Sequence, residues 1–195
     1  MKKSIVFLFL IMAVVVAGCN ENKNPAADRT PAMMDENIMK TKDEVVTDDF
    51  IYRLVTEQAN YAEGDSVRMY AELEYTGDQD EITIFHASSP FYFPMTETTR
   101  GYTIVYPMTE PLVSTTLTKG KPLRSEYNGG GAYDDKDDKE FVDFMKGIMR
   151  NEFPTGTYNV TGYADFYIEP VAGSTEDDED NKDYNMKAQI RFSVE

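Results

Sequence analysis

Ser66-Val67-Arg68-Met69-Tyr70-Ala71-Glu72-Leu73-Glu74-Tyr75 decides the fold class. Val67, Met69, Ala71, Leu73 and Tyr75 point to one side of an extended chain. Arg68, Tyr70, Glu72 and Glu74 point to the other. Alternation of period two over this length predicts a half-buried antiparallel strand. On its N-terminal side Tyr61-Ala62-Glu63-Gly64-Asp65 reads as a turn, and on its C-terminal side Thr76-Gly77-Asp78 does so.

Similar runs lie on both sides. Phe50 to Glu57 precedes the deciding stretch. Glu81 to Ala87, Phe91 to Glu97, Tyr102 to Met108 and Leu112 to Thr118 follow it. Pro90, Pro94 and Pro107 confine their segments to edges, bulges or strand ends, because proline cannot donate to a ladder. Thr157 to Ile168 and Tyr184 to Val194 complete the series, joined by an acidic loop over 173–183. One segment differs. After Asn128-Gly129-Gly130-Gly131, read as a flexible hinge, Phe141, Phe144, Met145, Ile148 and Met149 recur at helical spacing. Asp137 with Glu140 suggests a capping box. Short strands at regular spacing with a single helix predict a mainly β protein, an immunoglobulin-like antiparallel β-sandwich with a helical insertion at 128–150.

The first nineteen residues, MKKSIVFLFLIMAVVVAGC, carry a different message. Lys2 and Lys3 form a positive start, Ile5 to Val16 an apolar run, and Ala17-Gly18 a small pair. The run is short of the roughly 20 apolar residues that a spanning helix needs. Val16-Ala17-Gly18-Cys19 resembles a lipobox, in which the cysteine receives a diacylglycerol and becomes the new N-terminus. This implies a signal peptide over 1–18 and a lipidated Cys19, the single cysteine of the chain. Residues 19–48 then read as a flexible tether reaching ~30 Å, and 49–195 as the folded domain. The expected address is the extracytoplasmic face of the cell membrane, reached through covalent lipid.

Charge supports that route. The chain carries −16, and loss of Lys2 and Lys3 makes it two charges more negative. Such a surface repels nucleic acid and anionic headgroups, so neither is expected as a partner. With the one thiol acylated, no disulfide and no cysteine nucleophile remain.

Two phrases in the folded part resemble known domains. Tyr61-Ala62-Glu63-Gly64-Asp65-Ser66-Val67, with Leu73 and Tyr75-Thr76-Gly77, resembles the second strand of immunoglobulin-like bacterial surface domains. Phe153-Pro154-Thr155-Gly156-Thr157-Tyr158-Asn159-Val160 resembles their late strand entry. Ile84-Phe85 and Ser88-Ser89-Pro90-Phe91-Tyr92-Phe93 resemble the middle of BsuPI-type proteinase-inhibitor domains. The layout is similar to membrane lipoproteins of Bacillus-like Gram-positive bacteria. The lipobox and the strand pattern, with no assembled catalytic set in the sequence, lead to the expectation of a non-catalytic module that binds a protein or another envelope component.

Few residues suggest chemistry. His86 is the single histidine, at a strand end in register with Ile82 and Ile84. One imidazole and no thiolate make a poor zinc or copper site. Asp134, Asp135, Asp137 and Asp138 form one acidic cluster and residues 176–180 another. Calcium takes six to eight oxygens, yet neither run has EF-hand spacing. The aromatics of Phe91 to Phe93 and Tyr102 to Tyr106 could stack on a sugar or peptide, with core packing the plainer role. No motif implies a cofactor. The expected function is therefore a binding module. Two alternatives stay open: a small enzyme using carboxylates or His86, and a calcium-stabilised structural domain.

Overall fold

Two sheets face each other in the computed structural model, which describes residues 38–170 and 181–195. The signal segment, Cys19 and most of the expected tether lie outside the described residues, as does most of the acidic loop. One sheet has the order β1 (Lys42–Thr47), β2 (Phe50–Thr56), β4 (Met69–Tyr75) and β10 (Leu123–Glu126). The other runs β3 (Asn60–Tyr61), β12 (Lys182–Val194), β11 (Gly156–Ile168), β5 (Glu81–His86) and β9 (Val113–Thr118). Two short strands, β6 (Phe91–Tyr92) and β7 (Met95–Glu97), also pair with β11, and β8 (Tyr102–Ile104) pairs with β7. β3 runs parallel to β12; the other named strand pairs are antiparallel. Strands β2, β4 and β10 stand where an immunoglobulin domain has A, B and E, and β12, β11 and β5 where it has G, F and C.

The alternation of the deciding strand is realised in full. Val67, Met69, Ala71, Leu73 and Tyr75 are all buried, while Arg68 is exposed and Glu72 and Glu74 are half-buried. Across the sandwich, Phe50 meets Phe166 and Tyr184 with ring centroids 5.0 and 4.9 Å away. Tyr52 stacks towards Phe91 at 6.2 Å. Leu54 fills the space left by Gly162, where a Cβ would come within 2.9 Å of both Leu54 methyls and of Tyr52 Oη.

Proline explains the broken third partner of β11. β5, β6 and β7 follow one another along the same edge, at Tyr167, at Ala164 and Tyr163, and at Val160 to Tyr158. At the gaps Pro90 O accepts from Asp165 N (2.8 Å) and Pro94 O from Thr161 N (3.0 Å). The prolines keep the acceptor half of the ladder and lack the donor half. The expected single strand over Phe91 to Glu97 is thus two.

Two tyrosines fix the turns that the sequence singled out. Tyr61 Oη donates to Arg68 O (3.1 Å), accepts from Gln58 N (3.1 Å) and pairs with Thr56 Oγ1 (2.8 Å). Tyr158 Oη donates to Pro154 O at 2.6 Å, four residues upstream at the entry to β11. This is the tyrosine-corner arrangement of immunoglobulin-like domains.

Three expectations need correction. The tether does not extend to Asp48, and the folded part starts earlier than residue 49. Lys40 exchanges two backbone hydrogen bonds with Arg191, and Lys42–Thr47 forms β1 along the edge of β2. Asp43 Oδ2 accepts from Gln189 N at 2.7 Å, closing part of the free edge of β12. Charges and a single half-buried apolar residue, Val45, disguise β1 as linker, which is how edge strands avoid pairing between molecules. The capping box is also absent. Helix α1 (Lys139–Met149) starts at Asp138 with no side-chain cap, and Asp137 Oδ2 instead accepts from Asp134 N at 2.7 Å. Finally, the glycine run is a packed strap, not a hinge. Gly131 has φ +89°, donates its N–H to Val105 O (2.7 Å), and leaves only 3.1 Å between its would-be Cβ and Met145 Sδ.

Helix α1 lies against the β7–β8 hairpin. Phe141 and Phe144 meet the Tyr102 ring edge-on at 5.0 and 5.1 Å, and Met145 and Ile148 are buried. Most of its apolar face is therefore spent inside the domain, while Met149 at its end stays 51% exposed. Among the described residues, no helix is long and apolar enough to cross a membrane.

Candidate functional site

The outer face of the β12–β11–β5 sheet departs from the polar surface that alternation predicts. In β11 the inward side chains are Tyr158, Val160, Ala164 and Phe166, all buried. Tyr163, Asp165 and Tyr167 therefore face outwards. Phe85 does the same in β5, opposite the fully buried Ile84. Phe85 stacks on Tyr167 with centroids 5.2 Å apart and planes 15° from parallel. Tyr92 stacks on Tyr163 at 4.6 Å and 7°. Ring pairs in this offset geometry are stabilised beyond their buried area, and they give the sheet a flat aromatic floor.

The segment from β8 to β9 turns that floor into a groove. Ser88 N and Oγ both donate to Thr109 O, at 3.3 and 2.9 Å, which holds the segment beside the end of β5. The groove encloses about 470 Å³ and is lined by Phe85, Tyr92 and Tyr167, with Glu110, Pro111 and Leu112 along its rim. Leu112 is 71% exposed. Asp165 and Asp183 complete the lining together with His86. Every formal charge set by lysine, arginine, aspartate or glutamate in this lining is negative. Asp165 Oδ1 accepts from Asn185 Nδ2 at 3.3 Å, a neutral partner. The Tyr92 phenol titrates above its ordinary value because burial disfavours the phenolate and Asp165, Tyr163 and Glu110 add to that effect. It is a hydrogen-bond donor throughout the neutral range.

His86 reaches this groove from the inner side of β5 and is 7% exposed. Its Nδ1 lies 2.7 Å from Ala87 O and its Nε2 2.8 Å from Thr115 Oγ1. A carbonyl only accepts, so Nδ1 carries a proton; in the neutral ring Nε2 accepts from the Thr115 hydroxyl. Both nitrogens are engaged by the fold. The lining brings His86, Glu110, Asp165 and Asp183 together, the convergence that an acid–base enzyme would use, but the imidazole has no unoccupied nitrogen to offer a substrate.

The acidic cluster is placed elsewhere, in the loop before α1. Asp134 Oδ1 accepts from Lys136 N (3.0 Å), and Asp137 Oδ2 from Asp134 N. Asp135 and Asp138 are exposed. Two of the four carboxylates thus brace a turn. Among the described residues, no three His, Cys, Asp or Glu side chains come together as a metal ion requires. The second acidic cluster and Cys19 lie outside the described residues. A further cleft of about 550 Å³ lies between the 63–66 turn and the end of α1, and its Arg150 is paired with Glu152 at 2.8 Å. Its lining also carries Glu63, Asp65 and Asp143, so it is acidic like the groove, but Phe153 is its one aromatic residue and it has no stacked ring pair.

Of the groove lining, only His86 and Tyr92 stand out in the sequence as candidate site residues, and Phe85 only as part of a resembling phrase. Glu110, Asp165, Asp183 and Tyr167 do not stand out there. The signal was present: Tyr163 and Tyr167 occupy the polar side of an alternating strand, flanking Asp165. The chain matches no protein-family model, and no curated protein shows significant similarity to it.

Proposed function

We propose that this protein is a lipid-anchored, extracytoplasmic binding module with an immunoglobulin-like sandwich. In this reading Cys19 carries the acyl chains, and the groove on the outer sheet face engages a protein of the envelope. The observation that carries the binding role is the aromatic floor of Phe85, Tyr92, Tyr163 and Tyr167 on a face where alternation calls for polar residues. Two stacked aromatic pairs on an outer face cost hydrophobic burial unless something covers them. The engaged nitrogens of His86 favour binding over acid–base chemistry. The weak resemblance to proteinase-inhibitor domains is compatible with the same role.

A second reading keeps an enzyme in the same groove, on the shared lining of His86 with three carboxylates. It requires His86 to give up either Ala87 O or Thr115 Oγ1 when substrate arrives.

The anchor is tested through Cys19→Ser. Dual acylation at ~0.8 kcal/mol per buried methylene holds a chain on a bilayer, and a net charge of −16 gives no electrostatic attraction to anionic headgroups. The variant is expected to lose all incorporation of labelled palmitate and to leave the processed membrane fraction. Unchanged labelling and unchanged membrane association overturn the anchor.

A further inference from the structure

We infer that the groove takes a cationic segment of a partner protein, an extended stretch presenting lysine or arginine to its aromatic floor. This rests on the binding-module reading and names the class of its ligand.

The geometry supplies two complementary halves. Stacked rings offer π faces, and a lysine or arginine head over such a face is attracted by the ring quadrupole. Glu110, Asp165 and Asp183 stand around the same rings with no lysine or arginine in the lining. The nearby Lys182 is already held by Asp48 at 2.8 Å. Its ammonium lies 5.5 Å from the Tyr184 ring, not over the groove. Carboxylates at a groove rim with aromatic walls attract a cation and repel an anion, so sign alone discriminates between partners. The surrounding net charge of −16 extends that attraction to the encounter stage.

The shape selects an extended chain. β9 is an edge strand of this sheet, paired with β5 through Glu81 to His86, and its other side is open among the described residues. The groove lies at the Val113 end of that strand, with Leu112 on its rim. A peptide leaving the groove therefore meets unpaired backbone groups, the feature that strand addition uses.

Calorimetric titration of the full-length chain in nonionic detergent tests the assignment. Hexalysine is the probe, with hexaglutamate and betaine as comparisons. Saturable one-to-one binding of hexalysine is expected, weakening with added salt, with none for hexaglutamate. The triple variant Glu110→Gln, Asp165→Asn, Asp183→Asn is expected to lose at least tenfold in affinity, and Tyr167→Ala several-fold. A control that removes three negative charges elsewhere, Asp135→Asn, Asp138→Asn, Glu140→Gln, stays within twofold. Urea midpoints verify that each variant is folded. Equal loss in both triple variants, or no saturable hexalysine binding, overturns the cationic assignment. Betaine binding without hexalysine binding overturns the peptide and leaves a small quaternary ammonium. None of these outcomes touches the anchor, which the fate of the Cys19→Ser chain decides.

Discussion

Glu97→Ala is expected to destabilise the domain by about 3–5 kcal/mol, the range for breaking a buried, hydrogen-bonded ion pair. The side chain is 0% exposed at the turn between β7 and β8. Its Oε1 accepts from Thr99 N at 2.6 Å and its Oε2 from Arg100 N at 2.8 Å, and the Arg100 guanidinium is 3.4 Å away. Arg100 then donates to Thr155 O at 2.8 Å and lies over the Phe144 ring at 5.5 Å. One carboxylate therefore ties the hairpin turn to the entry of β11 and to α1. Gly156 sits so close to it that a Cβ there would meet the carboxylate. Alanine leaves two backbone N–H groups without their acceptor. Glutamine restores one acceptor and turns an NH₂ group towards the other donor, so about half of the loss is expected to remain. Urea denaturation at pH 7 measures both.

The same carboxylate gives the domain an acid sensitivity. Burial pushes its pKa up, but hydrogen bonds from the Thr99 side chain and from the backbone of Arg100 and Thr99, with the Arg100 charge, outweigh that and hold it below the ordinary 4.5. A lowered folded pKa means stability that is fully present above the unfolded value and is lost as pH falls through the folded one. The wild-type midpoint is thus expected to fall below pH 4.5. The Glu97→Gln chain is expected to show a smaller fall over the same window.

Gly162→Val is the second large effect. The sheets are close enough at this point that even a Cβ would approach Leu54 and Tyr52 to 2.9 Å. Overpacking of this kind costs typically 1–3 kcal/mol, and alanine is expected within that range, with valine beyond it. The contact identifies its own relief. Leu54→Ala alone costs about 2–5 kcal/mol through the cavity it opens. The Leu54→Ala, Gly162→Val double variant is expected to be more stable than the sum of the two changes. A double-mutant cycle by thermal or urea unfolding measures that coupling. Strict additivity would mean that the two residues do not meet across the sandwich.

The fold was legible wherever one face of a strand is apolar and the other polar. Ser66–Tyr75 shows this, as do the long runs that became β11 and β12. Legibility failed where the environment, not the pattern, fixes the structure. β1 is held by Arg53, which reaches Glu44 and Glu74 at 2.6 Å each, and by the Asp43 cap on Gln189, contacts between residues far apart in sequence. β10 is four residues long and half-exposed, with Arg124 lying 3.4 Å over the Tyr70 ring. The Asn128–Gly131 run reads as flexible in isolation, yet close packing against Val105 and Met145 demands glycine there. The groove was hidden for a related reason. Its parts come from β5, β6, β11, β12 and the segment before β9, and only the register of the sheet brings Phe85 onto Tyr167 and Asp183 beside them.

The proposed anchor and the proposed ligand of the groove make one account, in which a tether would present the aromatic, acidic face of the sandwich to a partner. Site-specific photocrosslinking on intact cells tests that most directly. A photoreactive residue at Leu112, on the groove rim and 71% exposed, is compared with one at Val46, on β1 of the other sheet and 63% exposed. The account predicts a discrete protein adduct from Leu112, none from Val46, and loss of the Leu112 adduct in the Glu110→Gln, Asp165→Asn, Asp183→Asn chain. Adducts of equal yield from both positions, or from Val46 alone, would contradict it.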